Sequence, residues 1–175
     1  MPSLHSPKTE VLIVDDEVQA RELLSEFCRA QGYEVATAND GRAAIAALTR
    51  SPNQYGIVIT DLQLPGADGF EVLTAARQAN PSVYVVMITG YASIDSAVRA
   101  VREGAYDYLA KPFALGQLEV VLKRIKDRMS LEQENRELSR RVIGHESAGG
   151  GDVAWRLQAI EERLAHIEAL LRSRS

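Results

Sequence analysis

The sequence predicts an α/β fold: one five-stranded parallel sheet, doubly wound, with helices on both faces. Three observations predict it. Short apolar runs alternate with helical stretches five times, at roughly 22 residues per repeat, a length suited to βαβ units. The runs are continuously apolar instead of alternating, as expected for strands buried on both faces. Crossovers between parallel strands are right-handed, which places successive helices on either side of the sheet.

The first strand is Val11-Leu12-Ile13-Val14, and it ends in acid at Asp15-Asp16-Glu17. A helix follows with Ala20, Leu23, Leu24, Phe27 and Cys28 at helical spacing, stopped by Gly32. Residues 33–37 form a short second strand. Asn39-Asp40-Gly41 then turns the chain into an alanine-rich helix over 43–48. The third strand, Ile57-Val58-Ile59-Thr60-Asp61, is halted by Pro65-Gly66. A strand buried on both faces cannot keep a lone charge inside, so Asp61 should project from its C-terminal end into a crevice.

Asp68 or Gly69 opens a helix through Phe70, Val72, Leu73 and Ala76 that stops near Asn80-Pro81. The fourth strand, 83–88, ends at Thr89-Gly90. Ser93 can cap a helix carrying Ile94, Ala97, Val98 and Val101, closed by Gly104. The fifth strand, 106–109, runs into Ala110-Lys111-Pro112, and a last helix begins near Leu115.

Composition excludes several classes. Hydrophobic residues make up 46% of the 175, and no apolar run approaches the ~18 residues of a membrane span. The first nine residues are polar and proline-punctuated, without the apolar centre of a signal peptide. A single cysteine, Cys28, rules out an intramolecular disulfide, fits a reducing cytoplasm and reads as a buried structural thiol. Residues 1–113 hold 9 Lys/Arg against 14 Asp/Glu, a balance of −5; residues 114–175 hold 11 against 10, a balance of +1. Neither part has the concentrated basic face of a nucleic-acid binder. His5, His145 and His166 are scattered, without metal-ligand or triad spacing.

In a doubly wound sheet the strand C-termini share one edge. Asp15 and Asp16, Asp61, Thr89 and Lys111 therefore converge: three carboxylates, a hydroxyl and an ammonium. Close carboxylates repel one another, and such a cluster is tolerated where a cation sits. All-oxygen ligation by a few carboxylates suits Mg²⁺, which keeps waters and favours a phosphate partner. A carboxylate nucleophile beside it would form an acyl phosphate.

The motifs Val14-Asp15-Asp16-Glu17, Thr60-Asp61-Leu62-Gln63-Leu64-Pro65-Gly66-Ala67-Asp68-Gly69, Ile88-Thr89-Gly90-Tyr91 and Tyr106-Asp107-Tyr108-Leu109-Ala110-Lys111-Pro112-Phe113 resemble the receiver domain of two-component response regulators over residues 9–127. The resemblance implies a flavodoxin-like strand order, 2-1-3-4-5. It implies that Asp61 accepts a phosphoryl group from the phosphohistidine of a sensor histidine kinase. Asp16 and Asp61, with the backbone carbonyl of Gln63, would hold Mg²⁺, and Asp15 would assist, partly through water. Thr89 would bond one phosphoryl oxygen and Lys111 another. Tyr108 matches the aromatic that turns inward as Thr89 moves, and the Lys111-Pro112 bond is often cis in the family. Gln63 and Tyr91 flank the site at positions that bear on how long the phosphoryl survives. The surface that changes would be residues 93–103, the fifth strand and the following helix.

Beyond the receiver, taken as 10–127 after a disordered 1–9, the sequence is helical. Leu118, Leu122, Ile125 and Met129 form one stripe; Leu131, Asn135, Leu138 and Val142 form a second, out of register with it. The second stripe reads as a coiled-coil extension over 128–143, with Asn135 favouring an in-register pair. It resembles the dimerising linker of nitrogen-regulatory receivers, where an ATPase domain normally follows; this sequence has no P-loop. Residues 144–151 read as a flexible linker. From 152 to 173, Val153, Leu157, Ile160, Leu164, Ile167 and Leu171 keep 4-3-4-3-4 spacing, a coiled-coil seam.

The expected function is a cytoplasmic signalling phosphoacceptor, not an enzyme, with output through helical assembly as a homodimer or with a helical partner. No nucleic-acid or membrane contact is expected. One alternative is an Mg²⁺-dependent phosphohydrolase with an aspartyl-phosphate intermediate, although Gln63 stands where such an enzyme needs a second acid. The other is a receiver that only sequesters phosphoryl groups.

Overall fold

The computed structural model describes residues 9–146. Five parallel strands, β1 (Glu10–Val14), β2 (Glu34–Ala38), β3 (Tyr55–Asp61), β4 (Tyr84–Thr89) and β5 (Asp107–Ala110), lie in the order β2-β1-β3-β4-β5. Between and after them run α1 (Val18–Ala30), α2 (Gly41–Arg50), α3 (Gly69–Ala79), α4 (Ile94–Glu103) and α5 (Leu115–Glu146). The fold class is the one the sequence predicted, and the strand order is the one the family resemblance implied.

The central strands explain the continuous apolar runs. Every residue of β4 is buried, as are Ile57, Val58, Ile59 and Thr60 of β3. Val72, Leu73 and Ala76 of α3 close over the sheet with no exposed surface. Full burial of each large aliphatic side chain contributes about 1.5–3 kcal/mol. The helix starts follow local chemistry. Asp40 accepts from the Ala43 amide at 2.7 Å, which starts α2 two residues before the predicted span. Asp68 and Glu71 form a capping box on α3, and Ser93 and Ser96 form one on α4.

Strand edges shift by about a residue from the sequence reading. β5 begins at Asp107; just before it the Tyr106 amide donates to the Val85 carbonyl at 2.7 Å and its ring packs edge-on to Tyr84. Two apolar stripes also differ. On α1, Leu24, Ser25 and Cys28 are buried while Leu23 faces outward; the Ser25 hydroxyl, satisfied by the Arg21 carbonyl at 2.6 Å, fills a core position. On α4 only Ala100 is buried, and Ile94, Val98 and Val101 are exposed. A small residue at the contact lets α4 approach the domain along a narrow strip, leaving its larger side chains outside.

Contacts divide the chain into two units, 1–126 and 127–175, and α5 carries residues of both. In the first unit Leu118, Val121, Leu122 and Ile125 are buried, and Tyr33 donates to the Leu122 carbonyl at 3.4 Å. In the second, Leu131 and Leu138 of the predicted second stripe are exposed. The helix runs through Glu146, so Gly144 to Glu146, read as the start of a linker, are helical. The rest of that linker and the 152–173 seam lie outside the described residues.

Candidate functional site

The C-terminal ends of β1, β3, β4 and β5 bring together the side chains that the sequence singled out. Carboxylate oxygens of Asp15, Asp16 and Asp61 all lie within 4.8 Å of one another. Asp15 is buried, Asp61 half-buried and Asp16 exposed. Lys111 binds two of them, donating to Oδ2 of Asp15 at 2.8 Å and to Oδ2 of Asp61 at 2.9 Å. Burial by itself lowers the lysine's proton affinity, but its hydrogen bonds to Asp15 and Asp61 and their charges outweigh that. The ammonium is held above the ordinary lysine value.

The second oxygens of both carboxylates are fixed by backbone amides. Oδ1 of Asp15 accepts from the Glu17 amide at 2.9 Å, and Oδ1 of Asp61 from the Gln63 amide at 3.0 Å. Both bonds are local turns of two residues, the geometry that short acidic side chains favour after a strand. Gly69 lets α3 begin directly beneath this turn. Its amide donates to the Leu62 carbonyl at 2.9 Å, and a Cβ there would sit 2.3 Å from the Asp61 carbonyl oxygen. The tenth residue of the Thr60–Gly69 motif is therefore a steric requirement of the site.

Thr89, fully buried at the end of β4, accepts from the Tyr91 amide at 3.1 Å through its hydroxyl. Its carbonyl accepts the Lys111 amide at 2.8 Å, tying β4 to the loop after β5. The Lys111-Pro112 peptide is cis. Tyr108 is half-buried against the core, and its hydroxyl meets Ser96 Oγ of α4 at 2.8 Å. The site opens into a cleft of about 590 Å³ lined by Asp16, Glu17, Asp61, Gln63, Tyr91 and Lys111.

All the predicted site residues except Tyr108 thus gather at one edge, with Tyr108 one step behind, between β5 and α4. Two participants escaped the sequence reading. Arg21 donates to the Asp15 carbonyl at 2.7 Å and reaches the Asp16 carbonyl at 3.5 Å, bracing the acidic turn from α1. Nothing in its spacing marks it. Ser96 was visible only as the third residue after the Ser93 cap.

Chemically, hard oxygen donors in this number suit Mg²⁺, which takes one or two carboxylates and leaves room for waters and phosphate oxygens. The donor set fits that ion. An Asp61 carboxylate at the wall of an open cleft, with Lys111 beside it, can serve as a nucleophile toward phosphorus.

Residues 11–123 match the family described as the response regulator receiver domain. Among curated proteins, the nitrogen assimilation regulatory protein NtrX of Azorhizobium caulinodans is 35% identical over 158 residues, covering 89% of this chain and 34% of that protein. The regulatory protein AtoC of Escherichia coli is 36% identical over 128 residues, covering 73% of this chain and 27% of that one. The chain therefore spans about a third or less of the length of these relatives. A solved receiver domain from Clostridium thermocellum superposes with a TM-score of 0.65 at 28% identity, covering 70% of this chain and 98% of that chain.

Proposed function

This chain belongs to the response regulator receiver domain family, and on that premise we propose that Asp61 is its phosphoacceptor. Receiver domains bind Mg²⁺ at an acidic pocket and take phosphoryl groups from histidine kinases. The observation that carries the assignment is the position of Asp61: it ends the central strand, is tied to Lys111, and faces the open cleft.

In the proposed reaction a carboxylate oxygen of Asp61 attacks the phosphorus of a kinase phosphohistidine. A new O–P bond forms as the N–P bond breaks, and the freed imidazole nitrogen keeps the electron pair. Asp16, Asp61 and the Gln63 carbonyl would hold Mg²⁺, with Asp15 assisting. The ion supplies charge neutralisation for the transferring group when bound. The Gln63 amide holds one Asp61 oxygen in place and so orients the carboxylate. Lys111, already between Asp15 and Asp61, can shift its hydrogen bonds onto a phosphoryl oxygen. Thr89, at the end of β4, would offer its hydroxyl to another, giving up the Tyr91 amide. Tyr108 would then move toward the space that Thr89 leaves.

Output, on this reading, is helical assembly. The second stripe of α5 and the 152–173 seam supply self-association, as a homodimer or with a helical partner, and phosphorylation alters it. The protein acts in the cytoplasm and, as a signalling phosphoacceptor, has no turnover beyond slow loss of its own phosphoryl group.

The test is incubation with Mg²⁺ and acetyl phosphate followed by intact-mass measurement. Wild type should gain one phosphoryl group and Asp61→Asn none; a gain that survives in Asp61→Asn overturns the assignment. Sustained hydrolysis of a phosphomonoester would instead favour the phosphohydrolase reading.

A further inference from the structure

Ser96 does two jobs with one hydroxyl. It is the third residue of α4, where its hydroxyl donates to the Ser93 carbonyl at 3.0 Å, accepts from the Ser93 amide at 3.1 Å and lies 2.8 Å from the Ser93 hydroxyl, while its own amide donates to that hydroxyl at 3.1 Å. The same oxygen lies 2.8 Å from the Tyr108 hydroxyl, across from β5. Either hydroxyl can serve as the donor in that bond. Capping boxes ordinarily use Glu or Gln at this position. A serine there is short enough to leave room for the phenol, and its oxygen is available to it.

The rest of α4 is lightly held. Ala100 is its only buried residue, and Ile94, Val98 and Val101 point outward. Its other ties are at the far end or the flank: Arg99 stacks 3.8 Å from the centre of the Phe70 ring, and Arg77 donates to the Gly104 carbonyl at 3.0 Å. At its N-terminal end, the Ser96–Tyr108 bond joins α4 to the strand that leads into Lys111. Tyr108 cannot turn toward Thr89 without giving it up. Thr89, for its part, has its hydroxyl on the Tyr91 amide, so the space it occupies is not free.

We propose that Ser96 is the positioning residue that holds Tyr108 in its unphosphorylated place, so that phosphorylation must break a bond belonging to the N-terminal cap of α4. The proposal rests on Asp61 being the phosphoacceptor and adds how its switch is restrained. Breaking the bond costs the phosphorylated state, and by linkage its removal must favour that state to the same extent. It also leaves the cap one partner lighter, so the exposed Ile94–Val101 face and the switch tyrosine respond together.

The experiment titrates the full chain with beryllofluoride, a phosphoryl mimic, in saturating Mg²⁺, with apparent Kd read by calorimetry. Ser96→Ala should tighten binding roughly two- to tenfold, the range of one net hydrogen bond. Ser96→Thr, which keeps the hydroxyl, should stay near wild type. Ser93→Ala weakens the same cap without removing the Ser96–Tyr108 bond, and should also stay near wild type. Unchanged or weaker binding by Ser96→Ala overturns the proposal, as does equal tightening by Ser93→Ala, which would make the effect one of helix fraying. Failure of wild type to bind beryllofluoride at all would overturn the Asp61 assignment instead, and with it the premise of the latch.

Discussion

Lys111 donates to Asp61 at 2.9 Å, a bond between residues 50 apart in sequence and brought together by the ends of β5 and β3. The same ammonium reaches Asp15 at 2.8 Å, so one cation holds the carboxylates of two neighbouring strands. Its location inside the acidic cluster, not on its rim, makes it a structural counter-charge as well as a candidate phosphoryl ligand.

Replacing it separates those roles. Lys111→Ala leaves buried Asp15 and half-buried Asp61 facing each other without a cation, and should destabilise the protein by about 1–3 kcal/mol in metal-free buffer. Mg²⁺ can substitute for the lost charge. Thermal melts should therefore show a larger Mg²⁺-induced rise in Tm for the variant than for wild type. An equal rise in both proteins would mean that Lys111 does not share its carboxylates with the metal.

Gly69 gives a steric test. A Cβ at this position would stand 2.3 Å from the Asp61 carbonyl oxygen and 2.8 Å from Leu62 Cα, both backbone atoms that cannot rotate away. Gly69→Ala should push α3 off the end of β3, costing about 1–3 kcal/mol as other overpacking changes do. Because the displaced atoms belong to Asp61, the proposed phosphoacceptor, the initial phosphorylation rate should fall even well below the melting temperature. Urea unfolding and a phosphorylation time course measure the two effects separately.

What sequence reasoning could reach depended on whether a contact runs along the chain or across it. The central strands β1, β3 and β4 were legible because burial on both faces writes a continuous apolar run, as in Tyr84–Ile88, while the half-exposed edge strands β2 and β5 were placed by the repeat spacing. The cap at Ser93 and the stop at Gly104 were legible because each is satisfied within a few residues. Leu23 and Ser25 were not: which of two adjacent α1 positions faces the sheet depends on the helix's rotation, and a serine bonded back to Arg21 is satisfied in the core. Arg21 and the Ser96–Tyr108 pair were beyond reach for the same reason, being contacts that only the tertiary arrangement creates. The helix itself was legible, but not that Ala100 is its buried contact, because an alanine carries little apolar weight in a periodicity.

The pH dependence of stability turns on Cys28. Burial pushes its thiol from 9.0 up to about 11. Between those values the unfolded chain loses the thiol proton and the folded chain keeps it. The native state then binds more protons, so stability falls as pH rises. The contribution is intact below about pH 9 and is lost by about pH 11, a change of about 2–3 kcal/mol. Lys111, also raised, adds a loss of the same sign at the alkaline end. Urea midpoints across this range should fall more steeply for wild type than for Cys28→Ala. Native Cys28 should also resist a thiol reagent that labels the urea-unfolded chain at once.

The second stripe of α5 provides the last prediction. Leu131 and Leu138 are exposed at 66% and 53%, whereas Leu118, Leu122 and Ile125 of the first stripe are essentially inaccessible. Leucines seven residues apart on a helix share a face, and with Asn135 between them they have the pattern of a coiled-coil seam. Truncating an exposed leucine removes no core contact, so Leu131→Ala with Leu138→Ala should leave the melting temperature of the receiver unit unchanged at concentrations where wild type is monomeric. If the stripe is an assembly seam, the same pair should weaken self-association at least tenfold in sedimentation velocity, because each loses most of a buried leucine's transfer free energy in the assembled state. A loss of receiver stability without a change in association would assign the stripe to the fold. A loss of association without a change in stability would assign it to output, and comparing the two with and without acetyl phosphate would show whether Asp61 governs it.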